Sequence, residues 1–249
     1  MSAQTTVTGH DLETMLHIVA KPEDLGSRDP MPLSVMAGLR KLIPCDHVSL
    51  TQYDARLREY LLDQDVGDIA EVSDSEEETL EEAFWRHYWH SQACHYPDST
   101  GDLTSITTAS DFYSDRELHS TGMYTEYFKP LGLEREMMLC LPSRPGRVLR
   151  LVFFRGPGTD FSPRDRGLLT LLRPHLHHTY LQQAHHQPGT PQLTPRQLQL
   201  LHLVADGHTN HQIARRLSIT EATVRKHLEN IFQRLQVTNR TAAVTRALH

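Results

Sequence analysis

Between Thr209 and Leu235, two helical patterns are separated by only three residues, Ser218-Ile219-Thr220. A gap that short makes the second helix turn sharply and pack against the first, and few arrangements allow this. Thr209-Asn-His-Gln212 has the capping-box form, a threonine followed three residues later by a glutamine. It opens a short helix whose apolar residues are Ile213, Ala214 and Leu217. Thr220 caps a longer helix running to Leu235. At about 100° per residue, Val224, Leu228, Ile231 and Leu235 form one stripe that must be buried. Ala222, Arg225, Lys226, Glu229 and Gln233 take the opposite side.

The flanking segments fit a small helical domain. Thr194 and Gln197 repeat the capping box, and Pro195 suits the first helical position. Leu198, Leu201 and Ala205 are expected on one buried face, and Gly207 suits a left-handed C-cap. Arg240–Leu248 supplies a fourth short helix. A short helix, a tight turn and a longer helix with a basic outer face form a helix-turn-helix, whose second helix fits the major groove. Arg225 and Lys226 can pair with guanine edges, and Glu229 can accept from cytosine. Thr220 and Thr223, at the helix start, are placed to meet phosphate.

These residues resemble the LuxR-type (NarL/FixJ-like) DNA-binding domain of bacterial transcription regulators. The match runs through Leu193-Thr-Pro-Arg, Val204-Ala-Asp-Gly207, Asn210-His-Gln-Ile-Ala-Arg-Arg-Leu217 and Ile219-Thr-Glu-Ala-Thr-Val-Arg-Lys-His-Leu228, then Arg234-Leu-Gln-Val237 and Asn239-Arg-Thr-Ala242. The resemblance implies an all-α four-helix domain with its helix-turn-helix at about 210–229. It implies base reading by Arg225, Lys226 and Glu229, with Asn210, Thr220, Thr223 and Arg234 completing the candidate DNA contacts. Double-stranded DNA is then the expected partner, with a homodimer and RNA polymerase as further candidates. Three positions depart from the family pattern: Gln197 where Glu is usual, Gln236 where Gly is usual, and Glu229 where a base is common.

Charge divides the chain at the same place. Residues 188–249 hold eight Lys/Arg and three Asp/Glu, a net +5, while residues 1–187 hold 17 and 28, a net −11. A basic tail on an acidic body suits a polyanionic partner. The Pro-rich polar stretch at 185–192 reads as a linker, giving domains at 1–184 and 193–249.

The first 184 residues predict an α+β domain. Helical spacing occurs at Leu12, Met15/Leu16 and Val19, and again at Leu33, Met36 and Leu39. Strand patterns follow at 48–53, 57–62, 137–141 and 148–155, with a turn at Pro142–Gly146. Asp63–Glu82 is acidic and reads as a loop entering a helix that continues to His90. Residues 95–122 read as loop with short helical pieces. A long helix begins at Ser162-Pro163, and Pro174 is expected to kink or split it. This layout resembles a GAF/PAS-like sensory domain with an antiparallel sheet and flanking helices. Asp111–Leu118 and Tyr124–Leu133 also resemble the sensory half of single-component LuxR-type regulators. A phosphoacceptor receiver does not fit, because Asp54 heads a hairpin turn and no alternating βα pattern occurs.

Ten of the seventeen aromatic residues lie within residues 84–128. Trp85, Trp89, Phe112, Tyr113 and Tyr127 are candidates for a small-molecule pocket, and an aromatic core under a loop-rich segment is the other reading. His87, His90, Cys94 and His95 have rough helical spacing but no second cluster, so a helix face is expected there rather than a metal site. The histidines around 175–186 read as a solvated helix end. No cofactor is expected. No G-x-S-x-G, P-loop, G-x-G-x-x-G or H-E-x-x-H occurs, so a non-enzymatic protein is expected. The opening residues have neither a basic nor an apolar leader pattern, and no apolar run reaches membrane-spanning length. Three scattered cysteines fit a reducing compartment, and a cytoplasmic location is expected.

Overall fold

In the computed structural model, the described residues are 7–20, 24, 27, 29–56, 58–68, 74–142, 148–186, 193–217, 219–235 and 237–248. Two helices enter the fold, α1 (Gly9–Ala20) and α2 (Leu33–Leu42). Then come β1 (His47–Asp54), β2 (Glu59–Gly67), α3 (Asp74–His87), α4 (Gln92–Thr100), β3 (Ile106–Thr108) and α5 (Asp115–Ser120). A π-helical turn at Met123–Phe128 leads to β4 (Arg135–Leu141), β5 (Val148–Arg155) and α6 (Pro163–His186). The last four helices are α7 (Pro195–Ala205), α8 (Asn210–Arg216), α9 (Glu221–Leu235) and α10 (Arg240–Leu248).

The strands form one sheet in the order β2-β1-β5-β4-β3, antiparallel throughout. Alternation along each strand gives the sheet two faces. Val48, Leu50, Leu149, Leu151, Phe153, Met137, Leu139 and Leu141 point to one face. There they join Met15 and Ile18 of α1, Met36 and Leu39 of α2, and Leu168, Leu169, Leu172 and Leu176 of α6 in one core. The other face carries Tyr53, Met138, Cys140, Val148 and Val152 towards α3, α4 and the π-helical turn. Residues 193–247 bury a separate core of their own.

Arginines of α6 fasten the helix across the sheet edge. Arg166 Nη1 donates to the Ile106 carbonyl on β3 at 2.8 Å, and its Nη2 pairs with Asp111 at 2.7 Å. Arg173 donates to the Thr104 carbonyl at 2.7 Å. Arg164 pairs with the buried Asp11 of α1, whose carboxyl is held at about 2, first by the Arg164 hydrogen bond and then by the Thr8 amide.

The sequence expectations need five corrections in this half. Pro174 does not split α6, which stays helical through it. Pro174 and Thr170 are both exposed, so water can reach the carbonyl that loses its donor. Asp63–Gly67 is not loop; it extends β2, pairing up to His47↔Gly67. Residues 106–108 add an edge strand, β3, too short to show a periodic pattern. Leu12, Leu16 and Leu33 lie on the outer sides of their helices, 43–64% exposed. Helix α6 runs to His186, two residues into the predicted linker. Residues 187–192, the turn at 143–147 and Gln236 lie outside the described residues.

Gln64 anchors β2 to the segment before α2. Its buried amide accepts from Met31 N at 2.9 Å and donates to Met31 O at 2.7 Å. Gln64→Ala leaves both buried backbone groups unpaired and should cost about 2–4 kcal/mol. Urea unfolding of the two proteins checks this; a loss under about 0.5 kcal/mol would contradict it.

Candidate functional site

Helix α9 is positioned from both sides of the predicted turn. Thr209 accepts from Gln212 N at 3.3 Å while Gln212 closes the box on Thr209 N at 2.9 Å. The Ile219 amide returns to the Ala214 carbonyl at 2.9 Å, closing the turn. Thr220 Oγ1 accepts from Thr223 N at 3.1 Å and caps α9. Val224, Leu228, Ile231 and Leu235 are buried against Ile213, Leu217, Leu200 and Ala243. That packing fixes the rotation of α9 and turns Arg225, Lys226 and Glu229 to solvent. Thr220 is exposed, Thr223 is half-buried beside it, and Asn210 is half-buried at the start of α8.

Arg234 lies apart from this edge. Its side chain is only 13% exposed and turns inward, donating to Gln197 Oε1 at 2.8 Å. The buried face of α7 is accordingly Gln197, Leu200, Leu201 and Val204, not Leu198, Leu201 and Ala205 as the spacing predicted. Gln197 can be buried because both the Thr194 amide (3.1 Å) and Arg234 satisfy its carbonyl. His227, half-buried in α9, has its pKa lowered by burial and by the nearby Arg196 and Lys226, so it favours the neutral form.

The candidate pocket residues separate into two groups. Trp85 is buried in an aromatic cluster, edge-on to Tyr53 at 5.4 Å and to Phe84 at 4.9 Å. Tyr127 joins it through Phe84 at 5.1 Å. Trp89 is 46% exposed and packs on Tyr88. Phe112 stacks near Tyr96 at 5.3 Å, and the Tyr113 hydroxyl accepts from Gln92 N at 2.6 Å. The structure thus brings Trp85 and Tyr127 together and leaves Trp89, Phe112 and Tyr113 around α4, nearer the surface.

Four residues of this face escaped the sequence reading. Tyr53 and Tyr60 belong to the cluster, their rings 5.6 Å apart. Arg150 is buried on β5 with its guanidinium 4.0 Å above the Tyr53 ring. It donates to Tyr88 Oη at 3.0 Å and pairs with Asp98, while its Nε has no partner among the described residues. Glu136, on neighbouring β4, is buried as well. Burial pushes its carboxyl from 4.5 up to about 7, against the opposing pull of Arg150. A charged residue inside an apolar strand was the available signal for both. Of the histidines, His87 pairs with Glu126 at 3.1 Å and His95 meets Ser99 at 3.1 Å. Among the described residues, no group of three or more His, Cys, Asp or Glu is placed to hold a metal.

Residues 191–247 match the model of the luxR family of bacterial regulatory proteins. They form a LuxR-type helix-turn-helix domain. The transcriptional regulator AlkS of Alcanivorax borkumensis is 53% identical over 55 residues, which is 22% of this chain and 6% of AlkS. The quorum sensing-dependent transcriptional regulator RpaR of Rhodopseudomonas palustris is 34% identical over 110 residues, 44% of this chain and 45% of RpaR. The chain thus spans less than half the length of either. Among solved structures, SdiA in complex with octanoyl-rac-glycerol aligns over 98% of this chain and 96% of its own, at 16% identity and a TM-score of 0.42. Among the described residues, no helix is long and apolar enough to cross a membrane.

The raised carboxyl of Glu136 should make the stability of the N-terminal α+β part pH-dependent. A carboxyl raised in the folded state binds a proton that the unfolded chain has already released, so stability falls as pH rises from about 4.5 through about 7. Glu136→Gln removes that loss and should raise unfolding free energy at pH 8 by about 3 kcal/mol, with little gain at pH 4.5. Denaturant curves at the two pH values check it; an equal effect at both would contradict it.

Proposed function

We propose that this chain is a sequence-specific DNA-binding transcription regulator. Residues 193–249 read DNA, residues 185–192 link, and residues 1–184 form a sensory and dimerising domain. The reading is carried by the exposed Arg225–Lys226–Glu229 edge, on a helix held by a buried stripe inside the LuxR-type domain. In it, α9 enters the major groove, those three side chains meet base edges, and Thr220, Thr223 and Asn210 meet the backbone. A protein working on chromosomal DNA belongs in the cytoplasm. Two copies would address paired half-sites about one helical turn apart, and RNA polymerase is the natural further partner of a bound regulator.

Residues 1–184 act in this reading as a GAF/PAS-like sensor for a small amphipathic molecule. The antiparallel sheet entered by two helices and left by a long one supports that comparison. RpaR is named for dependence on quorum sensing, and the aligned stretch extends beyond the helix-turn-helix, which supports regulation of the same kind here. The buried Arg150 and Glu136 would supply polar contacts within the aromatic face. A second reading, a ligand-free dimerisation module, is favoured by the close packing of Trp85, Phe84 and Tyr88 on one another. Native against denatured mass separates the two: a surplus mass lost on denaturation supports the sensor, and its absence across expression hosts and lysates supports the module.

Arg225→Ala should weaken binding to a selected operator by about 1–3 kcal/mol and relax preference at one base pair, leaving non-specific binding nearly unchanged. Fluorescence anisotropy on the operator and on single-base variants measures this. Unaltered affinity and preference would refute the base-reading role.

A further inference from the structure

One contact joins the two halves, and neither the DNA-reading edge nor the aromatic face requires it. β2 is an edge strand of the sheet, so its outward backbone groups have no strand to pair with. At Tyr60 the carbonyl accepts from Arg234 Nη2 at 3.0 Å, and the Glu59 carboxylate lies 3.6 Å from the same nitrogen. The other arm of Arg234 holds Gln197, the residue that closes the cap of α7. Arg234 and Glu59 are 13% and 19% exposed, so water largely leaves this pair. A shielded pair of that kind is costly to break from one side, unlike an exposed one.

The far side of the contact leads into the aromatic cluster. The Tyr60 ring lies 5.3 Å from Trp85 and 5.8 Å from Phe84. The β1–β2 register shifts beside it, from Gln52↔Leu62 to Tyr53↔Tyr60, leaving Leu61 as one extra residue on β2. Such a bulge is where a strand changes direction most easily. Arg225, Lys226 and Glu229 stay exposed, so the contact leaves that edge of α9 uncovered.

We infer that the β2 edge at Glu59–Tyr60 is a docking surface for the chain's own DNA-binding domain, with Arg234 as the positioning residue. A shift of Tyr60 within the aromatic cluster changes the carbonyl that Arg234 grips, and so changes how α9 is presented. The docking itself does not depend on the DNA-binding reading; only its regulatory consequence rests on it.

The test is a distance measurement in the full chain. Spin labels are placed at R56C and Q233C in a Cys45→Ser background, diluted into unlabelled protein, and read by pulsed electron resonance. The parent should give one narrow distance peak. Glu59→Lys and Arg234→Glu should each lose that peak for a broad distribution, whereas Arg234→Lys, which can still donate to the Tyr60 carbonyl and pair with Glu59, should keep it. Circular dichroism checks folding, and Glu59→Ala replaces Glu59→Lys if the latter misfolds. Glu59→Lys and Arg234→Glu as narrow as the parent, or Arg234→Lys as broad as Arg234→Glu, would overturn the inference. Arg225→Ala should keep the narrow peak while losing operator affinity, so failure of the DNA-binding reading shows separately.

Discussion

Strand β5 is buried on both sides, and residues 7–186 are arranged to keep it so. Leu149, Leu151 and Phe153 face the helices α1, α2 and α6, while Val148, Arg150 and Val152 face α3, α4 and the π-helical turn. A central strand with two buried faces needs two covers, and the two are chemically different. One is aliphatic and continuous. The other is aromatic and contains a buried guanidinium and a buried carboxyl, each costly to place there without partners. The Arg150 cation is sustained by Asp98, Tyr88 and the face of Tyr53. A core built only for stability has little reason to hold such groups, and this sets the aromatic face apart from the aliphatic one.

The C-terminal domain obeys a simpler constraint. Four apolar residues of α9 fill one side, which leaves the other side to solvent. Its +5 charge opposes the −11 of the rest of the chain, so the two halves attract one another as well as attracting and repelling DNA. Salt screens the long-range part of this within about 10 Å. What survives screening is the short contact of Arg234 with the β2 edge, where water is excluded.

Much of the C-terminal domain was legible because its signals are local. Capping boxes at Thr194 and Thr209 and the three-residue turn fix helix ends without reference to the rest of the chain. The face of α7 was misjudged because Gln197 looks like a surface residue until Arg234, 37 positions later, is seen to satisfy it. The same limit explains the N-terminal half. Trp85 and Tyr127 stand out by local aromatic density, whereas Tyr53 and Tyr60 reach the cluster only through sheet pairing. Arg150 and Glu136 sit in apolar runs that read as plain strand. Whether Pro174 splits α6 depends on whether water can serve the freed carbonyl, which spacing does not reveal.

The central claim is that the exposed edge of α9 reads a defined DNA sequence as part of the full chain. Selection of duplexes from a random library by the full-length protein at physiological salt, followed by sequencing, tests it most directly. One enriched motif should emerge, present as two half-sites about one helical turn apart. Recovery of unenriched DNA, with binding that falls with salt and ignores sequence, would contradict it.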